Sequence, residues 1–365
     1  MERVGIGIVG LGNISAAYLK AAKDFPILDI RAVADLNPAA AEARAQEFGV
    51  KAVALDAIFS DPEVEIILNL TIPKAHVDVG LRALDAGKHV YSEKPLGVEF
   101  SQGKKLVAAG KAKGLRVGSA PDTFLGGAHQ TSRRLVDEGV LGQAVGGTAY
   151  FMGPGHERWH PNPAFYYEAG GGPMLDMGPY YITDLVNLLG PVDKVLGASS
   201  RLRETRTITA KERAGEVIPV HVPTHVSGTL VFKNGAIVQM AMSFDVPAHK
   251  HVPIEIYGTE ASLIVPDPNR FGGQIEVLKK GGEWEEVATD MPYADGNYRS
   301  IGLADMAHAV RENRPHRCNG DLALHVLEVM EAFETSSKSG ASVTITTPAE
   351  RPAQLSQSLV DGRLG

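Results

Sequence analysis

The feature that most constrains the fold is an apolar segment that runs directly into a glycine-rich turn. Residues 3–9 predict a buried parallel strand, and the segment Gly-Leu-Gly-Asn-Ile-Ser at 10–15 predicts a turn followed by a helix. Gly10 suits the tight turn, while Gly12 lets a pyrophosphate approach the backbone N–H groups at the start of the helix. The turn residues expected to contact a dinucleotide are Gly10, Gly12, Asn13 and Ile14.

A second apolar strand ends in an acidic residue that a dinucleotide ribose can use. Ser15 takes the place of the third glycine of the usual turn, and the next apolar strand, at 30–34, ends in Asp35. A carboxylate there accepts hydrogen bonds from both ribose hydroxyls and repels a 2′-phosphate. We therefore predict NAD as the cofactor, with NADP less favoured. The alternative is that Asp35 is only a turn residue before Asn37-Pro38.

Apolar and amphipathic segments alternate up to residue 118, which is typical of a doubly wound parallel sheet. We predict strands at 51–54, 65–70, 89–91 and 116–118 and helices at 38–48, 56–60, 74–86 and 99–113. The fold class is therefore α/β, with a Rossmann domain over residues 1–121. Because 365 residues exceed one typical domain, residues 122–365 are expected to form a second one.

The composition excludes several classes of protein. The formal net charge is −7 and no block of basic residues is present, so nucleic acid is not an expected partner. No run of about 18 apolar residues is available to span a bilayer. Cys318 is the only cysteine, which excludes an intrachain disulfide and a thiolate metal cluster. Because the N-terminus also lacks the pattern of a secretory signal, we expect a cytoplasmic protein.

Two later segments are more specific than the glycine turn. The first covers residues 71–76 and continues, after an apolar strand, into Glu93-Lys94-Pro95. The second is a triple glycine at 170–172, followed by Asp176 and Tyr180 at a spacing that puts both on one helical face. Together with the glycine turn, these segments resemble the glucose–fructose oxidoreductase, inositol dehydrogenase and rhizopine-catabolism (Gfo/Idh/MocA) family.

The resemblance implies positions for cofactor and substrate. In the family, the lysine of the Glu-Lys-Pro motif lies between the nicotinamide and the substrate, which implies this role for Lys94 and a cis bond at Pro95. Lys94 follows a parallel strand, so it projects from the carboxyl edge of the sheet, where its ammonium can polarise a hydroxyl or a carbonyl. The alternative is an ordinary surface lysine. Further cofactor contacts implied by the resemblance are Thr71, Pro73, His76, Glu93 and Pro121.

The family also has an aspartate followed four residues later by a histidine, and both reach the same substrate hydroxyl. Here Asp176 keeps the first position, but Tyr180 stands in place of the histidine. Three arrangements are open. Tyr180 is the acid/base and Lys94 its electrostatic partner, or Lys94 itself exchanges the proton while Asp176 orients the substrate. In the third arrangement, a histidine from residues 156–160 is the acid/base. We favour Lys94, Asp176 and Tyr180 as catalytic residues.

The sequence His-Glu-Arg-Trp-His at 156–160 matches the zinc-peptidase pattern His-Glu-x-x-His. Glycines and prolines flank it and disfavour the continuous helix that zinc binding requires, so no metal site is predicted. We expect an aromatic loop over a sugar-binding cleft; a loop without ligand contacts is the alternative. The substrate contacts predicted beyond the catalytic residues are His156, Trp159, His160 and Asp122, the last in a segment where many relatives carry an asparagine and an arginine.

Beyond residue 190, tight turns separate segments of alternating polarity. Hairpins are predicted around Asn234-Gly235, Gly258-Thr259-Glu260 and Gly281-Gly282, so the second domain is expected to be α+β with a largely antiparallel, open-faced sheet. Helices expected to cover one side lie near 124–138, 178–189, 299–313 and 321–338. The resemblance implies that the open side pairs subunits into a homodimer or homotetramer. Residues interpreted as structural or surface histidines are His308, His316 and His325.

These features predict NAD-dependent transfer of a hydride between the nicotinamide and a secondary hydroxyl or ketone of a sugar, glycoside or polyol. Two alternatives are open. One is a glycosidase or lyase of the same fold that retains its NAD, and the other is a non-catalytic protein that senses a sugar or a dinucleotide. The presence of Lys94 and Asp176 favours an enzyme.

Overall fold

The N-terminal part of the chain forms a five-stranded parallel sheet with helices between the strands. The computed structural model describes residues 2–356, 362 and 364. The strands are β1 Val4–Val9, β2 Leu28–Ala34, β3 Ile66–Asn69, β4 His89–Ser92 and β5 Val117–Ser119. The helices are α1 Asn13–Ala21, α2 Pro38–Phe48, α3 Leu55–Ser60, α4 His76–Asp85 and α5 Phe100–Lys113. The predicted strand at 51–54 is reduced to a single bridge between Val33 and Ala52.

The order of these strands creates a crevice at one edge of the sheet. The order is β2-β1-β3-β4-β5, so it reverses at β1, and this confirms the doubly wound Rossmann prediction. Val9 at the end of β1 pairs with Ala34 on β2 and with Asn69 on β3, which aligns the carboxyl ends of all three strands. Ligands of such sheets bind where the order reverses. The glycine turn after β1 and Asp35 after β2 therefore lie at the same edge.

The second domain is built on a nine-stranded mixed sheet. Its strands are β6 Ala144–Met152, β7 Val192–Ser200, β10 His225–Phe232, β11 Ile237–Ser243, β12 Ile254–Gly258, β13 Ala261–Val265, β14 Ile275–Lys279, β15 Trp284–Val287 and β16 Val343–Thr344. A separate antiparallel ribbon consists of β8 Thr205–Thr207 and β9 Val217–Pro219. All three predicted hairpins are confirmed. One pair, β6 with β11, is parallel, and β6 and β7 themselves were not predicted.

Helices cover one face of this sheet. They are α6 Gly127–Asp137, α7 Pro173–Leu189 and α9 Gly320–Ser339, whereas α8 Ile301–Glu312, which was also expected there, packs against β5 of the Rossmann sheet. Short 3-10 helices occur at Ala22–Asp24, Pro73–Ala75, Thr123–Leu125, Ala164–Tyr167 and Lys211–Arg213. Helix α7 begins at Pro173 rather than near 178, and Pro179 lies inside it. The earlier start places Asp176 in the first turn of α7, where the free N–H groups of the helix stabilise a carboxylate.

The opposite face of the sheet is open. Leu196, Ile237, Tyr257 and Trp284 are exposed there, and the strand registers put them on the same side. The residues that alternate with them, such as Val195, Leu230 and Val238, are buried under the helices. Among the described residues, no helix combines the length and apolar character needed to cross a membrane.

The late histidines and the cysteine are buried, and of these His316 and Cys318 contact the Rossmann domain. His316 lies 3.2 Å from the carbonyl oxygen of Val117 on β5, and His325 accepts a hydrogen bond of 3.1 Å from the N–H of Val192. His308 and Cys318 are also buried. This confirms the structural interpretation of the three histidines.

Candidate active site

The glycine turn has the shape that a dinucleotide pyrophosphate needs. Gly10 has a φ of 93°, and a Cβ there would lie 2.6 Å from backbone atoms of Leu70 and Thr71, so only glycine fits. At Gly12, by contrast, a Cβ would meet no atom of the described residues within 4 Å, so the backbone is open to a ligand. Ser15 is fully buried and donates a hydrogen bond of 2.7 Å to the Gly12 carbonyl oxygen, which closes the first turn of α1.

Asp35 lies beside this turn. Its Oδ2 accepts a hydrogen bond of 2.7 Å from the N–H of Leu11, and its Oδ1 accepts one of 2.8 Å from the N–H of Asn37. Asp35 is therefore both the turn residue and a carboxylate held at the end of β2, and each oxygen keeps a lone pair for a ribose hydroxyl. Leu36, the next residue, carries no cation that would attract a 2′-phosphate. These residues fit NAD.

A cavity of about 500 Å³ lies between the two domains, next to the glycine turn. The residues predicted from sequence that line it are Asn13, Ile14, Thr71, Pro73, His76, Glu93, Lys94, His156, Trp159, His160, Asp176 and Tyr180. Two residues that sequence reasoning missed also line it, Asn269 and Arg299. Both lie on loops far along the chain, and no motif marks them.

The residues at the end of β4 are fixed by buried hydrogen bonds. Glu93 accepts one of 2.7 Å from the Tyr18 hydroxyl and one of 2.9 Å from the N–H of Lys94. His76 lies between two carbonyl oxygens, 2.7 Å from that of Pro95 and 3.0 Å from that of Thr71. The Lys94–Pro95 bond is cis, as the resemblance implies. The backbone that carries Lys94 is thus held on both sides.

Asp176 is the centre of the polar contacts in the cavity. The Lys94 ammonium donates to Asp176 Oδ1 at 2.9 Å and to the Asp176 carbonyl oxygen at 2.7 Å. On the other side, His156 Nε2 lies 2.8 Å from Asp176 Oδ2 and donates to it. One carboxylate therefore bridges a lysine from the Rossmann domain and a histidine from the loop of the second domain.

The charges of this group are stable near neutral pH. Burial disfavours the charged form of Asp176, but Lys94 and His156 outweigh burial and hold the pKa of Asp176 well below its ordinary value. Burial likewise opposes the charge of Lys94, but the carboxylate of Asp176 outweighs it and raises the pKa of Lys94. The site therefore holds a carboxylate and an ammonium ion side by side.

Tyr180 does not have the properties of a base. Burial raises the pKa of its phenol, although the charges of Lys94 and Arg299 act in the opposite direction. Its hydroxyl lies 3.5 Å from Nη1 of Arg299, and the Lys94 Nζ lies 5.0 Å from the centre of its ring rather than at its oxygen. The version with Tyr180 as acid/base stays a prediction, and the contact between His156 and Asp176 supports the third arrangement as a further candidate.

The loop that carries His156 is anchored outside the cavity. Residues 156–160 form one turn, in which the N–H of His160 donates to the His156 carbonyl oxygen at 3.0 Å, and no helix follows. Glu157 is buried and accepts a hydrogen bond of 2.8 Å from Nη1 of Arg206. The Nη2 atom of the same guanidinium pairs with Asp245. The zinc-peptidase pattern therefore lacks its helix and the free glutamate that such chemistry requires. No cluster of three possible metal-ligating side chains occurs among the described residues.

Aromatic rings surround His156 and reach the mouth of the cavity. The His156 ring lies 4.1 Å from the ring of Tyr166, 4.7 Å from that of Phe244 and 5.2 Å from that of Trp159, measured between centroids. Trp159 is 62% exposed although it lines the cavity, so one flat apolar face is available to a ligand.

The other predicted residues do not line the cavity: Gly10, Gly12 and Asp35 lie at the adjoining glycine turn, and Pro121 and Asp122 lie elsewhere. Asp122 is fully buried, and its Oδ2 accepts hydrogen bonds of 3.2 Å from the N–H groups of Ser300 and Gly302. Pro121 lines a separate small cavity behind Pro95. The carboxylate of Asp122 thus faces the start of α8, and its role as a substrate contact stays a prediction.

The comparisons with known proteins agree with this architecture. Residues 4–120 match the family described as "Oxidoreductase family, NAD-binding Rossmann fold", and residues 129–264 match the "GFO/IDH/MocA C-terminal domain". The chain belongs to the Gfo/Idh/MocA family of NAD-binding oxidoreductases. This confirms the family, the α/β fold class and NAD as the cofactor.

Individual relatives are more distant. Levoglucosan dehydrogenase of Pseudarthrobacter phenanthrenivorans is 24% identical over 328 residues, which cover 81% of this chain and 83% of that protein. The 1,5-anhydro-D-fructose reductase of Ensifer adhaerens is 26% identical over 84% of this chain and 88% of that protein. A solved structure of levoglucosan dehydrogenase with NADH and L-sorbose superposes with a TM-score of 0.83, at 20% identity, over 95% of this chain and all of that one.

Proposed function

We propose that this protein oxidises a secondary hydroxyl of a sugar, glycoside or polyol, or reduces the corresponding ketone. The observation that carries the proposal is the Asp176 carboxylate held between Lys94 and His156 in a cavity that adjoins the glycine turn. The relatives named as sugar dehydrogenases and reductases support the substrate class. NAD, when bound by the glycine turn and Asp35, supplies the acceptor or donor of the hydride.

Lys94, His156 and Asp176 have separate roles in the transfer of the hydroxyl proton. The Lys94 ammonium donates to the substrate oxygen and stabilises the negative charge that develops there when the proton leaves. The imidazole of His156 takes that proton, and the Asp176 carboxylate accepts a hydrogen bond from the imidazole and so orients it. In the direction of reduction, the imidazolium returns the proton to the same oxygen. Tyr180 packs against Lys94 and limits its movement.

The exposed rings near the mouth fit the apolar face of a sugar. Trp159 offers a flat surface over which the C–H groups of a pyranose can stack, and His160 in the same turn offers a ring nitrogen to a hydroxyl. A mixed lining of this kind is typical of pockets that bind small polar ligands.

The test is a screen for reduced nicotinamide. Purified protein is incubated with NAD or NADP and a panel of polyols, aldoses and glycosides, and formation of the reduced cofactor is followed by absorbance. We expect reduction of NAD with at least one of the three substrate classes, which are the polyols, the aldoses and the glycosides. Glycoside cleavage without net formation of reduced cofactor would instead identify an NAD-retaining glycosidase or lyase, and NAD binding without any turnover would identify a sensor.

We also propose that the protein is a cytoplasmic homodimer or homotetramer. The exposed Leu196, Ile237, Tyr257 and Trp284 on the open face support pairing of two sheets, and the single buried thiol of Cys318 fits a reducing compartment. Light scattering of the wild type and of Ile237→Glu tests the assembly: a variant with unchanged mass would rule out this face as the contact. Fractionation of the source cells tests the compartment.

A further inference from the structure

Arg299 is a cation in the cavity wall without a carboxylate partner. Its Nη2 donates to Asn269 Oδ1 at 2.7 Å, and its Nη1 lies 3.5 Å from the Tyr180 hydroxyl. Both partners are neutral, and none of the carboxylates among the described residues forms an ion pair with it. Lys94, the other cation of the cavity, is in contrast paired with Asp176. Arg299 therefore differs from Lys94 in that no carboxylate of the described residues forms a direct ion pair with it, although Glu93 and Asp122 act on its charge from further away.

The guanidinium lies where the active-site cavity meets a second one. A cavity of about 450 Å³ is lined by residues 269–273 and 294–297, and Asn269 and Arg299 line both cavities. A guanidinium presents five N–H donors in a planar fork that matches a carboxylate, and among the described residues only Nη1 and Nη2 of Arg299 have hydrogen-bond partners. The N–H donors of Arg299 that have no partner among the described residues therefore lie beside a cavity that can hold part of a ligand.

The backbone next to Arg299 is strained and held in place. Ser300 has a φ of 154°, a conformation that residues other than glycine rarely adopt. Its N–H donates to Asp122 Oδ2 at 3.2 Å, and its hydroxyl donates to the Tyr18 carbonyl oxygen at 3.1 Å. Strain of this kind persists only where surrounding contacts enforce it, and it concentrates at functional sites. These contacts fix Ser300, the residue that precedes α8, and Arg299 is the next residue back along the chain.

We propose that Arg299, with Asn269, binds a carboxylate of the substrate, so that the preferred substrates are sugar acids such as uronic or aldonic acids. One guanidinium matches the single charge and the two oxygens of a carboxylate. The Glu93 carboxylate, in the same cavity wall, repels the second charge of a phosphate. Asp122 is then a positioning residue, which acts through the backbone of Ser300. This inference rests on the proposed function and narrows its substrate class.

The experiment compares matched acidic and neutral sugars. D-Glucuronate with D-glucose and D-galacturonate with D-galactose are assayed with NAD, and D-glucuronate binding to the NADH-loaded protein is measured by calorimetry. We expect kcat/KM to favour each acid over its neutral partner. Arg299→Gln lowers that ratio about 10- to 100-fold, the loss expected for a charge-assisted hydrogen bond, and weakens calorimetric binding of glucuronate to a similar extent.

Two further variants separate positioning from general damage. Arg158→Gln makes the same change of charge at an exposed residue next to Trp159, and its ratio of acid to neutral kcat/KM stays at the wild-type value. Asp122→Asn lowers that ratio, whereas a merely structural role would lower both values of kcat/KM together.

The outcomes distinguish this inference from the proposed function. Turnover of neutral sugars with equal or lower kcat/KM for the acids overturns the carboxylate site and leaves the proposed function intact. An equal loss for both sugars in Arg299→Gln also overturns it, as does a preference for D-glucose 6-phosphate over glucuronate. Glucuronate binding that depends on Arg299 without any turnover supports the carboxylate site while contradicting the proposed function.

Discussion

Nε2 of His156 lies 2.8 Å from Oδ2 of Asp176, and the two residues come from a loop and from the first turn of α7. The resemblance to the family implies a histidine four residues after this aspartate on the same helix. Here that position is occupied by Tyr180, and an imidazole from the loop contacts the aspartate. In the proposed function, the acid/base pair therefore comes from two segments of the chain.

Replacing His156 with asparagine should remove the proton acceptor. We expect kcat for the best substrate of the screen to fall by about 10²- to 10⁴-fold, the usual contribution of a general acid/base, with a smaller change in KM. Steady-state kinetics with NAD measure this. His221→Asn is the matched control, because His221 is exposed and does not line the cavity. A larger loss in Tyr180→Phe than in His156→Asn would contradict the assignment.

Replacing Lys94 with methionine should change the titration of Asp176. Burial raises the pKa of Asp176, and the Lys94 ammonium is the main charge that opposes it, so the pKa of Asp176 rises when the ammonium is removed. We expect the acid limb of the pH profile of kcat/KM to shift to higher pH, together with a large loss of rate. Lys74→Met, at an exposed lysine paired with Glu168, should leave the acid limb unchanged. If the acid limb did not shift in Lys94→Met, the ammonium of Lys94 would not be what lowers the pKa of Asp176.

Replacing Asp35 with asparagine should weaken discrimination against NADP. The wild-type carboxylate accepts from two ribose hydroxyls and repels a 2′-phosphate, and the amide does neither as strongly. We expect the ratio of kcat/KM for NAD to that for NADP to fall by about 10-fold or more. Asp29→Asn, on the same strand but paired with Arg31, serves as the control. A wild-type protein that prefers NADP would refute the assignment of Asp35.

Acid should destabilise the protein through His316. Burial lowers the pKa of His316 to about 4, below the ordinary value of about 6.5 in the unfolded chain. At a pH between these two pKa values, only the unfolded state binds the proton. The contribution of neutral His316 to the free energy of unfolding is therefore fully present above the unfolded-state pKa, and it is lost as the pH falls toward the folded-state pKa. The free energy of unfolding falls by about 3 kcal/mol through the protonation of this residue.

Urea denaturation at a series of pH values measures this effect. We expect the slope of the free energy of unfolding against pH to decrease in His316→Gln by up to one proton in the acid range. His221→Gln changes an exposed histidine and should leave the slope as it is. An identical slope in both variants would mean that His316 is accessible to protons in the folded protein.

The Rossmann domain was predictable because its signals are local. The glycine turn, Asp35 and the strand before Lys94 lie in short segments whose periodicity and turn chemistry determine the structure. The hairpins around Asn234-Gly235 and Gly281-Gly282 were predictable for the same reason. The start of α7 was misplaced, because Pro179 resembled a helix start although Pro173 holds that position.

The composition of the site was less predictable, since it depends on contacts across the chain. Arg299 meets Tyr180 over 119 residues of sequence, and Asp122 meets Ser300 over 178. No periodicity encodes such contacts; they follow from how loops cross the sheet edge. His156 was one of three possibilities because only the path of its loop, anchored at Glu157, decides whether the ring reaches Asp176.

The anchoring of that loop has a consequence for changes of substrate. Its buried glutamate is tied to Arg206 on the β8–β9 ribbon, and the same turn carries both His156 and the exposed ring of Trp159. In the proposed function, one short loop therefore carries both proton transfer and contact with the sugar. A change in this loop that admits a new sugar also moves the base, so changes of substrate should coincide with changes of pH optimum and turnover.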